Sequence, residues 1–143
     1  MALKQIDHGS EEYTLMVNLR DEILRRPLGL HFTKEDLEKE KEDILIAAFD
    51  DDVILGCCLL AQTAADTVKL RQMAVKNNLQ GKGIGQAIMN FAETLARDKG
   101  YKKLTMNARD TAIGFYERCG FAIKGDGFIE VSVPHHVMEK KLV

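Results

Sequence analysis

The stretch Val75-Lys76-Asn77-Asn78-Leu79-Gln80-Gly81-Lys82-Gly83-Ile84-Gly85-Gln86 constrains this chain more than any other part of it. Upstream, Val68, Leu70 and Gln72 alternate with Lys69, Arg71 and Met73, the period of a strand with one buried face and one solvated or ligand-facing one. Downstream, Ile84, Ala87, Ile88, Phe91, Ala92 and Leu95 recur at three and four residues, which predicts a helix of about four turns capped by Gly100. At the join, three glycines remove side-chain bulk where successive backbone N–H groups can approach an anion, beside the positive end of the helix dipole. A phosphate or pyrophosphate suits that join; a flexible connection is the alternative. Two phosphate loops fail on spacing. A P-loop needs Ser or Thr after its Lys, but Gly83 follows Lys82. The dinucleotide fingerprint needs a sixth-position Gly where Gln86 or Ile88 stands.

Around this join the chain reads as one mixed α/β domain over residues 1–143. Leu15, Leu19 and Ile23 mark a helix over 11–25, stopped by Pro27 and Gly29. Residues 33–43 are mostly charged and read as a short helix capped by Thr33 or a mobile loop, a lid in either form. Residues 44–49 and 53–60 form a hairpin through Asp50-Asp51-Asp52. Beyond the central helix come a strand at Leu104 and Met106, a helix over 110–118 closed by Gly120, and strands over 121–124 and 137–142.

With 45% hydrophobic residues the chain can bury a real core, which excludes disorder. Its 20 basic and 22 acidic residues leave a net charge of −2, so no general field draws in nucleic acid. No apolar run reaches membrane-spanning length and no signal peptide is expected at the start, so no membrane partner is expected. Cys57, Cys58 and Cys119 are odd in number, with two adjacent, which suits packing residues in a reducing, cytoplasmic compartment. His8, His31, His135 and His136 form no convergent set with them, so no metal is expected.

Gln80-x-x-Gly83-x-Gly85 resembles the Gln/Arg-x-x-Gly-x-Gly/Ala signature of the GNAT N-acetyltransferase superfamily. Downstream, Ala112-Ile113-Gly114-Phe115-Tyr116-Glu117-Arg118-Cys119-Gly120-Phe121 looks like that family's Ala-x-x-Phe/Leu-Tyr-x-x-x-Gly-Phe segment. The likeness is most specific over residues 68–125. It implies a single GNAT-like α/β (α+β) domain, with a mixed antiparallel and parallel central sheet flanked by about four helices. It further implies an acetyl-CoA-dependent N-acetyltransferase that passes acetyl directly from the thioester to a primary amine of a small molecule or peptide. A non-catalytic CoA-binding or regulatory module of the same fold is the alternative. Small domains of this kind with exposed sheet edges often pair, so a homodimer is an expectation as well.

The resemblance also implies roles for particular residues. Backbone N–H groups of Gln80, Gly81, Lys82, Gly83, Ile84 and Gly85 would hold the pyrophosphate. Met73 and Val75 would pair with the pantetheine arm as an added strand where two strands splay, with an N–H from Ala74 or its neighbours facing the thioester oxygen. Tyr116 matches the general acid; packing with a wet hydroxyl is the alternative reading. Where many members carry Asn, this chain has Arg109, with Asn107 two positions earlier, so either is a candidate cofactor contact. Glu130 and His135 are candidate bases, in a stretch Glu-x-x-x-Pro-His resembling one that several acetyltransferases place beside the acceptor; a surface turn is the alternative. Arg25, Arg26 and Leu28, at the end of the first helix, are candidate acceptor contacts.

Overall fold

A computed structural model describes residues 1–142. Its elements run β1 (Ala2–Ile6), α1 (Glu11–Arg20), α2 (Lys34–Glu38), β2 (Ile44–Asp50), β3 (Val53–Ala64), β4 (Thr67–Val75), α3 (Ile84–Asp98), β5 (Lys103–Arg109), α4 (Ile113–Arg118), β6 (Ala122–Glu130) and β7 (Val133–Lys141). One seven-stranded sheet has the order β1-β2-β3-β4-β5-β7-β6, and every neighbouring pair is antiparallel except β4 and β5. The mixed sheet and the four helices flanking it are the architecture that the resemblance implies.

Both faces of the sheet are covered. On one, α3 packs Ile84, Ile88, Met89, Ala92 and Ala96 against Ile46, Cys58, Leu70, Leu104 and Met106. On the other, α1 packs Tyr13, Met16 and Leu19 against Leu45, Ala47, Phe49, Cys57 and Leu59. Ser10 caps α1 by accepting from the Tyr13 N–H at 3.2 Å. The helical path then continues through a π turn, Asp21–Arg25, and a 3-10 turn, Arg26–Leu28, and ends in left-handed Gly29.

Four sequence expectations are corrected. β1 was not anticipated: with only Leu3 and Ile6 apolar beyond its first residue, it has little periodicity and forms because β2 offers an open edge. The alternation of β4 breaks at Gln72, whose φ of +56° is left-handed. The register with β3 shifts there, Leu59 opposing Arg71 but Cys57 opposing Ala74. This bulge moves Met73 and Val75 to the α3 face with Val68 and Leu70, and sends Ala74 to the α1 face. The segment between the strands expected over 121–124 and 137–142 is instead mostly strand, because β6 and β7 form one hairpin turning at Val131 and Ser132 (φ +44° and +65°). The histidine pair therefore lies in a strand rather than a surface turn.

The fourth correction concerns residues 33–43. Thr33 and Asp36 close a capping box on α2, as the sequence suggests. The segment is nonetheless anchored rather than loose. Glu40 is 2% exposed and holds Arg20, 0% exposed, through two bonds of 2.8 and 2.6 Å, while the Tyr13 hydroxyl donates to the same carboxylate at 2.7 Å. Burial favours a neutral Arg20, but the hydrogen bonds and charge of Glu40 more than reverse this, so its pKa is raised.

Candidate active site

β4 and β5 pair from Thr67 with Lys103 to Leu70 with Met106, and there the ladder stops although both strands continue. Past this point β5 is held on its other side by β7 as far as Arg109 opposite His135. The facing edges of β4 and β5 thus splay and open a cleft of about 850 Å3. The bulge at Gln72 helps, since it twists β4 out of line with β5.

At one end of the cleft lies the glycine segment. Gly81 and Gly83 are left-handed, with φ of +82° and +83°, and open space stands where a β-carbon would be. The Gln80 side chain donates to the Val75 carbonyl at 3.2 Å and folds the loop back on the end of β4. Gly83 is the N-cap of α3 and supplies no side-chain partner, so the first N–H groups of the helix remain available. Gly85 lets α3 approach α4, since a β-carbon there would sit 3.1 Å from Phe115 Cζ. Gln80, Gly81, Gly83 and Gly85 line the cleft, as do Met73, Ala74 and Val75; the side chain of Ile84 is in the core, and Lys82 is exposed outside the lining. Free N–H donors, a helix N-terminus, room for an anion and two unpaired strand edges fit the phosphates and extended arm of a CoA thioester.

Tyr116 lines the cleft from α4. It is 7% exposed, held edge-on between Phe115 and Phe121, and its hydroxyl makes no hydrogen bond among the described residues. Burial, reinforced by Cys58 and Cys119 and partly offset by Arg109, pushes the phenol well above its ordinary range.

The far end lies on the other face of the sheet. Leu104, Met106 and Ala108 belong to the core under α3, so Asn107 and Arg109 point to the α1 side; by the same alternation from Met138, so does His135. Asn107 Nδ2 donates to Glu130 Oε1 at 3.2 Å, and Glu130 Oε2 lies 3.6 Å from His135 Nε2. His135 Nδ1 sits 2.8 Å from the Val133 carbonyl, so it carries a proton and leaves Nε2 facing the carboxylate. Phe128 stacks on this imidazole. Arg109 Nη2 donates to the Leu24 carbonyl at 2.9 Å, turned toward the end of the first helix and away from the glycines. Burial, then Arg25, lowers its pKa, and Glu130 and Tyr116 oppose this.

Arg25 lines the cleft, whereas Arg26 pairs with Asp21 at 3.3 Å outside it and Leu28 is exposed away from it. Sequence reasoning missed Gln72 and Phe32. Gln72 makes the bulge, and the Phe32 ring lies 4.6 Å from the Arg25 guanidinium and 4.5 Å from that of Arg20. No local signal announces either.

Residues 28–142 match the family model described as an acetyltransferase (GNAT) domain. "Uncharacterized protein YyaT" of Bacillus subtilis is 25% identical over 108 residues, covering 76% of this chain and 71% of that protein. "Uncharacterized N-acetyltransferase CT2212" of Chlorobaculum tepidum is 29% identical over 90 residues, 61% of this chain but 54% of that protein, so the chain spans about half of its length. Among solved structures, an aminoglycoside 6'-N-acetyltransferase in complex with coenzyme A has a TM-score of 0.83 at 15% identity, covering 100% of this chain and 98% of that one. The last likeness speaks to the fold, and the match over residues 28–142 speaks to descent: the chain belongs to the GNAT acetyltransferase family.

Proposed function

We propose that the protein is an acetyl-CoA-dependent N-acetyltransferase acting on a primary amine of a small molecule or peptide by direct transfer. The observation that carries this reading is the splay of β4 from β5, which brings the glycine cradle, Tyr116 and the Glu130–His135 pair into one cleft. Bound acetyl-CoA supplies the activated acetyl group. The main chain of Gln80 to Gly85 binds the pyrophosphate, and the open edge of Met73 to Val75 pairs with the extended arm. An N–H from Ala74 or its neighbours faces the thioester oxygen. The Glu130 carboxylate, held by the Asn107 donor, takes the proton of the incoming amine, with His135 Nε2 beside it as a second acceptor; Tyr116 Oη gives its proton to the departing sulfur. The new N–C bond replaces the C–S bond, and no covalent enzyme intermediate is required.

Calorimetric titration with acetyl-CoA, CoA and ATP tests the donor assignment. Binding of the two CoA compounds and not ATP is expected, and absence of CoA binding overturns it. Binding without thiol release for any amine makes the protein a CoA-binding module instead. In the same assay Gly83→Val should weaken acetyl-CoA at least about tenfold, because a β-branched residue is strained at φ +83° and its side chain would occupy the open space of the cradle. Affinity equal to that of the parent protein would remove the glycines from the phosphate site. For the base, Glu130→Gln is expected to lower kcat/KM for the amine by roughly 10² across neutral pH. His135→Asn should lower it less, since it keeps Glu130 in place. Full activity in both variants would take the proton-acceptor role away from the pair.

A further inference from the structure

The lining of the cleft is far more basic than the chain. The net charge of the whole molecule is −2, yet the cleft gathers Arg25, Lys69, Arg71, Arg109 and Arg118 against the single carboxylate of Glu130. Not all of these cations serve one end. Arg118 is on α4, with its Nη1 beside Gly114, on the same face as the glycine cradle. Arg25 follows α1, and its neighbours Ile23 and Leu24 pack on the opposite face of the sheet. The phosphates of the donor therefore do not account for Arg25.

At that end three cleft cations, Arg25 and the β4 residues Lys69 and Arg71, form no ion pair among the described residues, and of these Arg25 has its guanidinium held over an aromatic ring. Arg20 is neutralised by Glu40, Arg26 by Asp21, and Arg109 spends a guanidinium N–H on the Leu24 carbonyl. Arg25 forms no ion pair among the described residues. Its half-buried guanidinium lies over the Phe32 ring, an arrangement that fixes the plane of the group and leaves its N–H edges open. Such an edge recognises a carboxylate or phosphate through two parallel bonds. Arg109 bonds the carbonyl of Leu24, the residue before Arg25, and lies two residues along β5 from Asn107, which holds Glu130, so Arg25 and the proton acceptor line the same end of the cleft.

We propose that the acceptor carries an anionic group, carboxylate or phosphate, beside its amine, and that Arg25 is the specificity residue that binds this group. The inference rests on the acetyltransferase reading and adds the substrate class. The amine sits against Glu130 and the anion against Arg25, so a zwitterion matches the charge order of the acceptor end. A polycationic amine meets repulsion there.

The test uses initial rates of thiol release at saturating acetyl-CoA with matched amines: tyrosine against tyramine, O-phosphoethanolamine against ethanolamine, and spermidine as the polycation. The anionic member of at least one pair is expected to show a kcat/KM at least about tenfold above its partner without the anion and above spermidine, and the pair with the larger ratio identifies the anion. Arg25→Gln should collapse that ratio through a raised KM, and Arg25→Lys should restore part of it, as a point charge without the planar fork does. Three results overturn the proposal in a protein that binds acetyl-CoA: preference for an amine without the anion or for the polycation, no turnover of any anionic amine, or an unchanged ratio in Arg25→Gln. Failure to bind acetyl-CoA is a separate outcome, which removes the donor assignment beneath this inference as well.

Discussion

Tyr116→Phe is expected to lower kcat by about 10² while acetyl-CoA affinity changes less than about twofold. The substitution removes one oxygen and leaves the ring, so the edge-on contacts with Phe115 and Phe121 persist and the cleft keeps its shape. On the proposed mechanism, what disappears is a proton used only as the sulfur departs, an interaction of the transition state and not of the bound complex. Burial raises the phenol above its ordinary value near 10, so it remains protonated as pH rises through the range in which the amine loses its proton. No alkaline fall in kcat from this group is therefore expected below about pH 10. Steady-state rates over pH 6 to 10, with affinities by calorimetry, decide the matter. A variant of full kcat, or one losing affinity and rate equally, would assign Tyr116 to packing.

Glu40→Ala should destabilise the fold by about 3–5 kcal/mol, because it strands the fully buried Arg20 charge and leaves the Tyr13 hydroxyl without its acceptor. That is a large share of the roughly 5–15 kcal/mol by which domains are stable. Urea unfolding with Arg20→Met/Glu40→Leu as the comparison separates charge from shape. If the pair matters through an uncompensated charge, the double variant should recover most of the loss. Two equally unstable variants would mean instead that the geometry of the pair holds the segment in place.

The parts of this molecule written in local patterns were readable in advance. The three-and-four stripe of α3, the glycines before it and the acidic turn between β2 and β3 each carry their signal within a few residues, and each appears where expected. Glu40 shows why other parts did not. Inside Glu38-Lys39-Glu40-Lys41-Glu42 it looks like any solvated charge, and only the fold brings Arg20 and Tyr13 to it. Likewise, Val131 and Ser132 are poor candidates for two left-handed residues in a row, so the β6–β7 turn lacks the usual Asn-Gly mark and the strands around it looked short. Gln72 is a third case: strand alternation has no way of announcing a residue at φ +56°.

For the cleft, Gln80, Gly81, Gly83 and Gly85 fall in the lining while Lys82 and Ile84 do not, and the place of each side-chain candidate depends on which face of the sheet it reaches. Asn107 and Arg109 were weighed as contacts to the donor. One residue of strand alternation from Met106 and Ala108 places both on the side of Glu130 and His135. Arg25 and Arg26 are adjacent in sequence, yet the tightening of the chain from a π turn to a 3-10 turn between them sends one into the cleft and the other to Asp21.

The short parallel ladder between β4 and β5 has a mechanical meaning. It is the seam between two sturdier panels, β1 to β4 and β5 with β7 and β6, each knitted internally by antiparallel pairing. A molecule lying along these loose edges, as proposed for the donor, would complete the weave across the seam as a temporary eighth thread of the fabric. A ligand pairing in the way proposed would lend the protein rigidity while bound and withdraw it on release.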